Sequence, residues 1–117
     1  MKIGDYVRTE ISSLNLQRIG KIKKIISEDF IHTDIGTYDK ENIIKSSPSI
    51  IDLIEIGDYV NGSYIYSIVE ENKNTGQPRV LFTEEDGLLG SGEIKSIITK
   101  EQFKNMEYKI KENNYEQ

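Results

Sequence analysis

Apolar and polar residues alternate in several short runs of this chain, and that two-residue period is typical of half-buried β-strands. The clearest run is RIGKIKKIIS at residues 18–27, in which isoleucine and lysine interleave. Similar runs are DFIHTD at 29–34, NIIKSS at 42–47, GSYIYSIVEE at 62–71, RVLFTEEDG at 79–87 and GEIKSIIT at 92–99, with a turn at Asp86-Gly87 between the last two. The pattern predicts a mainly β protein made of many short strands.

One five-residue string, IGDYV, occurs twice, at residues 3–7 and 56–60. Each copy is followed by an alternating run, GKIKKIISED in the first half and GSYIYSIVEE in the second. In this alignment Tyr64 and Tyr66 fall roughly where Lys21 and Lys23 stand, within one position. The repetition predicts two related β units in tandem.

The repeat and the turn signals divide the chain into four segments. Residues 1–47 are expected to form a first small β-barrel-like unit, and residues 56–99 a second related unit. A linker with a short helical turn spans 48–55. A short helix begins residues 100–117, with Thr99 and Gln102 as its capping box, followed by an edge strand at 108–110 and a polar tail. Each unit alone is near the lower size limit of a stable domain, so the two are expected to pack together.

Residues 3–47 resemble small barrels of the Src-homology-3, KOW and Tudor type. The resemblance rests on a Gly-Asp-x-Val opening, here Gly4 to Val7, and on a strand beginning Gly-x-Ile, here at Gly20. It implies a Src-homology-3-like or KOW-like β unit in each half.

Charge and composition narrow the functional classes. The net charge of −5 is uneven: residues 1–50 carry 8 basic and 7 acidic side chains, whereas residues 51–117 carry 7 and 13. Phosphate backbones repel an acidic protein, so direct binding to nucleic acid is not expected. The chain has no cysteine, and we find neither an apolar run long enough to span a bilayer nor a signal peptide, which predicts a cytoplasmic protein without membrane contact.

No arrangement typical of catalysis is present, so we expect a protein that is not an enzyme and has no cofactor or metal. His32 is the single histidine, and no cysteine accompanies it as a zinc ligand. The glycine-rich GLLGSGE at 87–93 precedes a β-type run instead of the helix that a phosphate-binding loop requires.

A protein-binding face is the favoured site. Glu84, Glu85 and Asp86, with Glu70 and Glu71 nearby in the sequence, are expected to form an acidic cluster in the second half, beside an outward tyrosine pair at Tyr64 and Tyr66. Exposed tyrosines anchor interfaces, and acidic side chains attract a partner with a basic surface.

The basic stretch supports a rival interpretation. Arg18, Lys21, Lys23 and Lys24 lie on one predicted strand and could form a basic stripe on a nucleic-acid-associated barrel. A third hypothesis, a protein that sequesters a small molecule or nucleotide, requires a cleft between the halves.

Two strings, IIKSSPSIIDLIEIGDYVNG and IKSIITKEQFKNMEYKI, resemble small prophage and mobile-element proteins of Gram-positive anaerobes. That resemblance transfers no catalytic residue. It implies an accessory protein in the host cell cytoplasm that binds and blocks a host factor, such as a CRISPR-Cas or other nucleic-acid-binding defence component, in the manner of an anti-CRISPR inhibitor.

Overall fold

The computed structural model describes residues 1–106 and contains two five-stranded antiparallel sheets. The first sheet comprises β1 (Tyr6–Ile11), β2 (Leu16–Ile25), β3 (Phe30–Thr33), β4 (Gly36–Asp39) and β5 (Ile43–Ser47). The second comprises β6 (Tyr59–Val60), β7 (Ser63–Val69), β8 (Val80–Thr83), β9 (Gly87–Leu89) and β10 (Ile97–Ile98). One helix, α1 (Lys100–Met106), follows, and the edge strand and tail predicted beyond it lie outside the described residues.

Both sheets have the same strand order. The first runs β4-β3-β2-β1-β5, and the second, in equivalent strands, runs β9-β8-β7-β6-β10. A 3₁₀ turn precedes the last strand of each sheet, at Lys40–Asn42 and at Ser91–Glu93. The predicted fold class is confirmed: the protein is mainly β, with two Src-homology-3-like units in tandem and one short C-terminal helix.

The repeated IGDYV string forms the same turn in both units. Gly4 and Gly57 have positive φ angles of 94° and 100°, a backbone region that glycine enters without steric cost. The next residue caps this turn in each case: Asp5 accepts a hydrogen bond from the Lys2 amide at 3.0 Å, and Asp58 accepts one from the Glu55 amide at 2.8 Å.

The repeat extends to the irregularities of the sheets. β2 and β7 both contain a β-bulge, after Ile22 and after Ile65, and each of these isoleucines pairs with a threonine of the next strand. Lys21 pairs with Tyr6 as Tyr64 pairs with Tyr59. The expected equivalence of Tyr64 and Tyr66 with Lys21 and Lys23 therefore holds residue by residue.

Each unit has its own hydrophobic core. The first core consists of Val7, Ile22, Ile31 and Tyr38, and the second of Ile51, Ile54, Val60, Ile65, Leu81 and Leu89. Ile51 and Ile54 come from the linker, whose 3₁₀ turn spans Ile50–Leu53. The linker is thus packed into the second unit and does not act as a free tether.

The final strands of the second unit differ from the expected hairpin. Leu88 and Leu89 belong to a separate strand, β9, and only Ile97 and Ile98 of the GEIKSIIT run form a strand. The Glu93 carboxylate accepts the Gly90 amide at 3.0 Å and stabilises a 3₁₀ turn between the two. Alternation alone could not reveal this turn, because its stabilising bond comes from a side chain.

Arg8 of β1 joins the two units. Its guanidinium is fully buried and forms a bidentate pair with Asp58, at 2.6 and 3.1 Å, while Nη1 also donates to the Leu53 carbonyl at 2.9 Å. Gln17 accepts from Nε, and Glu101 of α1 accepts from Nη2 at 3.1 Å. Both units and the helix therefore meet at one cation.

The charged form of Arg8 is stabilised at this junction. Burial acts to lower the pKa of its guanidinium, but the hydrogen bond and charge of Asp58, with the charges of Glu55 and Glu101, outweigh burial and raise that pKa. A basic group whose pKa is higher in the folded than in the unfolded protein contributes stability at every pH below its unfolded-state pKa. It loses that contribution only as the pH rises through its folded-state pKa. The contribution of Arg8 is therefore fully present at neutral pH.

Replacing Asp58 should separate its role as a turn cap from its role as an ion-pair partner. Asp58→Asn keeps an oxygen that can accept from the Glu55 amide but removes the buried negative charge that pairs with Arg8. We therefore expect a loss of about 3 kcal/mol in the free energy of unfolding. Asp5→Asn is the matched control, with an expected loss below about 1 kcal/mol. Urea denaturation measures both, and equal losses would contradict the assigned role of Arg8.

The helix cap can be tested in the same way. Thr99 Oγ1 accepts the Gln102 amide at 3.1 Å, Gln102 Oε1 accepts the Thr99 amide at 3.1 Å, and Thr99 Oγ1 donates to the Gln17 carbonyl. Thr99→Ala should reduce the free energy of unfolding by about 1–2 kcal/mol. Thr99→Ser retains the hydroxyl and should lose much less; an unchanged melting temperature in the alanine variant would refute the cap.

Candidate functional site

An apolar row crosses the outer face of the second sheet and consists of Tyr66, Phe82 and Leu88. Phe82 pairs with Leu88 across β8 and β9, and the Tyr66 and Phe82 ring centroids are 6.4 Å apart. These side chains alternate with the core residues of the same strands and so point away from the core. Tyr66 and Leu88 are 53% and 55% exposed, which leaves the row open to solvent.

The equivalent positions of the first unit are polar. By strand register, Lys23, His32 and Thr37 correspond to Tyr66, Phe82 and Leu88. All three are exposed, and His32 Nδ1 lies 3.0 Å from Thr37 Oγ1. Since the same fold forms with polar side chains there, folding does not require an apolar row.

An acidic turn borders the row. Glu84, Glu85 and Asp86 connect β8 to β9, and their side chains are exposed. The turn is held through its backbone, because the Glu85 amide donates to Ser63 Oγ at 2.9 Å and the Asp86 amide to Thr83 Oγ1 at 2.8 Å. Within residues 1–106, the three carboxylates are therefore exposed, and the turn is held by its backbone amides instead of by these side chains.

The other two predicted carboxylates lie at the opposite end of β8. Glu70 and Glu71 follow β7, whose last residue pairs with Val80 at the start of β8. Four strand residues span about 13 Å, so the structure does not bring the five carboxylates together as one cluster. Glu70 also binds Arg79 at 2.8 Å, and this hydrogen bond lowers the pKa of its carboxyl group.

Tyr64 does not form a solvent-facing pair with Tyr66. Its ring packs edge-on against Tyr59 at a centroid distance of 5.5 Å, and Tyr59 stacks on Phe103 of α1 at 4.6 Å. Tyr64 is accordingly half-buried and supports the contact between the second unit and the helix.

The basic stretch is divided between two surfaces. Lys21, Lys23 and Lys24 lie on the outer surface of the first unit, where the Lys21 ammonium sits 5.5 Å from the centre of the Tyr6 ring. Arg18 instead lines a groove beside α1 together with Met106. The predicted stripe is thus reduced to the three lysines.

Within residues 1–106, no three His, Asp or Glu side chains lie close enough together to share a metal ion. No helix in this part of the chain has the length and apolar character to cross a membrane. The predictions of no enzymatic activity and no cofactor stay predictions.

A cleft does lie between the two units. It has a volume of about 380 Å³ and is lined by Tyr6, Ile19, Ile50, Ile94, Lys95, Ser96 and Ile97. Among the described residues, Lys95 is the one charged side chain that lines this cleft, so the cleft suits a phosphorylated ligand poorly.

The sequence matches no family model, and no curated protein or solved structure is similar to it.

Phe82 and Leu88 are the residues of this face that the sequence analysis missed. The alternation in RVLFTEEDG is compatible with either Leu81 or Phe82 facing the core, and Leu88 lies beyond that run. Aligning the two units through their later strands would have placed Phe82 opposite His32 and Leu88 opposite Thr37. The difference in polarity at these two pairs of aligned positions is the signal in the sequence that indicates an apolar face on the second unit.

A gel-shift assay tests the rival nucleic-acid interpretation. We expect no shifted band with random duplex or single-stranded oligonucleotides at physiological salt, because three lysines contact few phosphates and the chain has a net charge of −5. A band that weakens steeply with rising salt, and disappears with Lys23→Glu and Lys24→Glu, would establish the nucleic-acid function instead.

Proposed function

We propose that this chain is a non-enzymatic protein-binding module whose second unit engages a partner with a basic surface. The observation that carries the proposal is the difference between the units: three equivalent outward positions are Lys23, His32 and Thr37 in one and Tyr66, Phe82 and Leu88 in the other.

Exposed apolar side chains have a solvation cost that a partner can remove. Tyrosine and phenylalanine contribute large contact areas and are frequent at the centres of protein interfaces. Tyr66 lies at the bulge of β7, where its side chain is exposed but its ring lies against that of Phe82. Binding of a partner would therefore restrict few additional side-chain rotamers and cost little conformational entropy.

The acidic turn supports a basic partner. Glu84, Glu85 and Asp86 border the apolar row without filling it. Charges at the rim of an interface raise the association rate and select partners of opposite sign. A host factor that binds nucleic acid has a basic surface of this kind. We include in the proposal that the chain blocks such a factor, as an anti-CRISPR inhibitor does, and this part rests on the sequence resemblance alone.

Charge reversal at the turn tests the electrostatic part. A partner captured from host lysate should bind Glu84→Lys/Glu85→Lys with an association rate at least about tenfold lower at low salt, and the difference should shrink as salt screens the charges. Glu28→Lys/Asp29→Lys changes the charge equally on the first unit, where both side chains are exposed.

The two charge-reversal variants distinguish an effect of the acidic turn from an effect of net charge. Surface plasmon resonance at two salt concentrations should find slow association for the second-unit variant and a near-normal rate for the first-unit variant. Equal slowing in both would mean that only net charge matters, and the proposed face would then be wrong.

A further inference from the structure

We infer that the apolar row docks an amphipathic basic α-helix of the partner, an inference that rests on the proposed function. The row runs across three adjacent strands, from Tyr66 on β7 through Phe82 on β8 to Leu88 on β9. An element that follows the row must therefore lie across the strands.

The length of the row suits a helix. Two inter-strand spacings amount to about 9.6 Å. Apolar side chains at positions i, i+4 and i+7 of a helix span about 10.5 Å along its axis. Three consecutive apolar positions on one helix face can therefore meet Tyr66, Phe82 and Leu88 in turn.

The width of the face suits a helix as well. Beside the row, Val69 pairs with Val80, and Val69 is 41% exposed, which extends the apolar surface along the strands. Carboxylates border this surface at one end of β8, where Glu84, Glu85 and Asp86 form the turn to β9. At the other end, Glu70 faces the opposite side of the sheet, where its partner Arg79 donates to the Ile54 carbonyl of the linker. The apolar surface along β8, from Val80 to the acidic turn, is about 13 Å long, which is close to the diameter of a helix with its side chains.

The charge of the acidic turn predicts the charge of one side of the helix. Lysine or arginine along that side of the apolar stripe would reach Glu84, Glu85 and Asp86 while their alkyl stems cover apolar surface.

Two other occupants fit less well. A second copy of this chain, placed face to face by a twofold axis, would present the acidic turn with a face that carries carboxylates of its own. An added β-strand would pair with the edge strand β9, which is three residues long, and would leave Phe82 on the neighbouring strand uncovered.

The experiment uses a synthetic peptide of about five helical turns as the probe. Leucines occupy positions i, i+4, i+7 and i+11, and lysines flank them. The control peptide has the same composition with its leucines distributed around the helix. Binding to the full chain is measured by calorimetry and by the amide chemical shifts of the ¹⁵N-labelled protein.

We expect saturable binding of the amphipathic peptide, with the largest shifts at Tyr66, Phe82 and Leu88. Tyr66→Lys/Phe82→His/Leu88→Thr installs the residues of the first unit and should weaken binding at least about tenfold, as expected for the loss of central anchors. Lys24→Ala/Thr37→Ala, on the first unit, should leave affinity within about twofold.

The triple variant should fold, because the first unit carries the same side chains at the same positions; its melting temperature checks this. Should it unfold, Leu88→Thr alone should weaken binding about threefold or more. Equal affinity of both peptides, equal affinity of wild type and row variants, or dimerisation through the row in sedimentation would each overturn the inference.

The helix inference and the proposed function can fail separately. If the peptide does not bind but capture of a basic partner depends on the row, the helix inference falls and the proposed function stands. If capture is the same for wild type and the triple variant, both fall.

Discussion

The relative placement of the two units depends on the buried pair of Arg8 and Asp58. A guanidinium without access to water must be fully paired, and each of its nitrogens has an acceptor here, drawn from both units and from α1. Asp58 in turn accepts the Lys100 amide at 3.0 Å at the start of the helix. Moving one unit relative to the other would break several of these bonds together, so the junction fixes a single arrangement.

The difference between the first hairpins of the two units explains why Arg8 is available for this task. β1 continues past Arg8 to Ile11, whereas the equivalent residue of the second unit, Asn61, is already in a turn. Asn61 and Gly62 have φ angles of 54° and 81°, as a two-residue Asn-Gly hairpin requires. The longer hairpin of the first unit therefore supplies the arginine, whereas the equivalent position of the second unit is a turn residue.

Much of this architecture could be predicted from local sequence. The alternating runs, the repeated IGDYV string and the Thr99-Gln102 capping box each depend on residues close together in the chain, and each is observed. The Arg8–Asp58 pair joins residues 50 positions apart, and no local pattern indicates it. The expected grouping of five carboxylates failed for a related reason, because proximity in sequence placed Glu70 and Glu84 near each other while β8 holds them at opposite ends.

A fixed arrangement also bears on specificity. A repeat protein with two identical outer faces would offer a partner two equivalent sites. Here one face carries Lys23, Lys24 and His32, and the other carries Tyr66, Phe82 and Leu88 beside carboxylates. Under the proposed function, the first face would repel the basic partner that the second face attracts. Discrimination improves when a competing site is made unfavourable as well as the intended site favourable. Because the ion pair prevents the units from reorienting, the lysine face stays fixed relative to the apolar row and can limit the partner to one orientation.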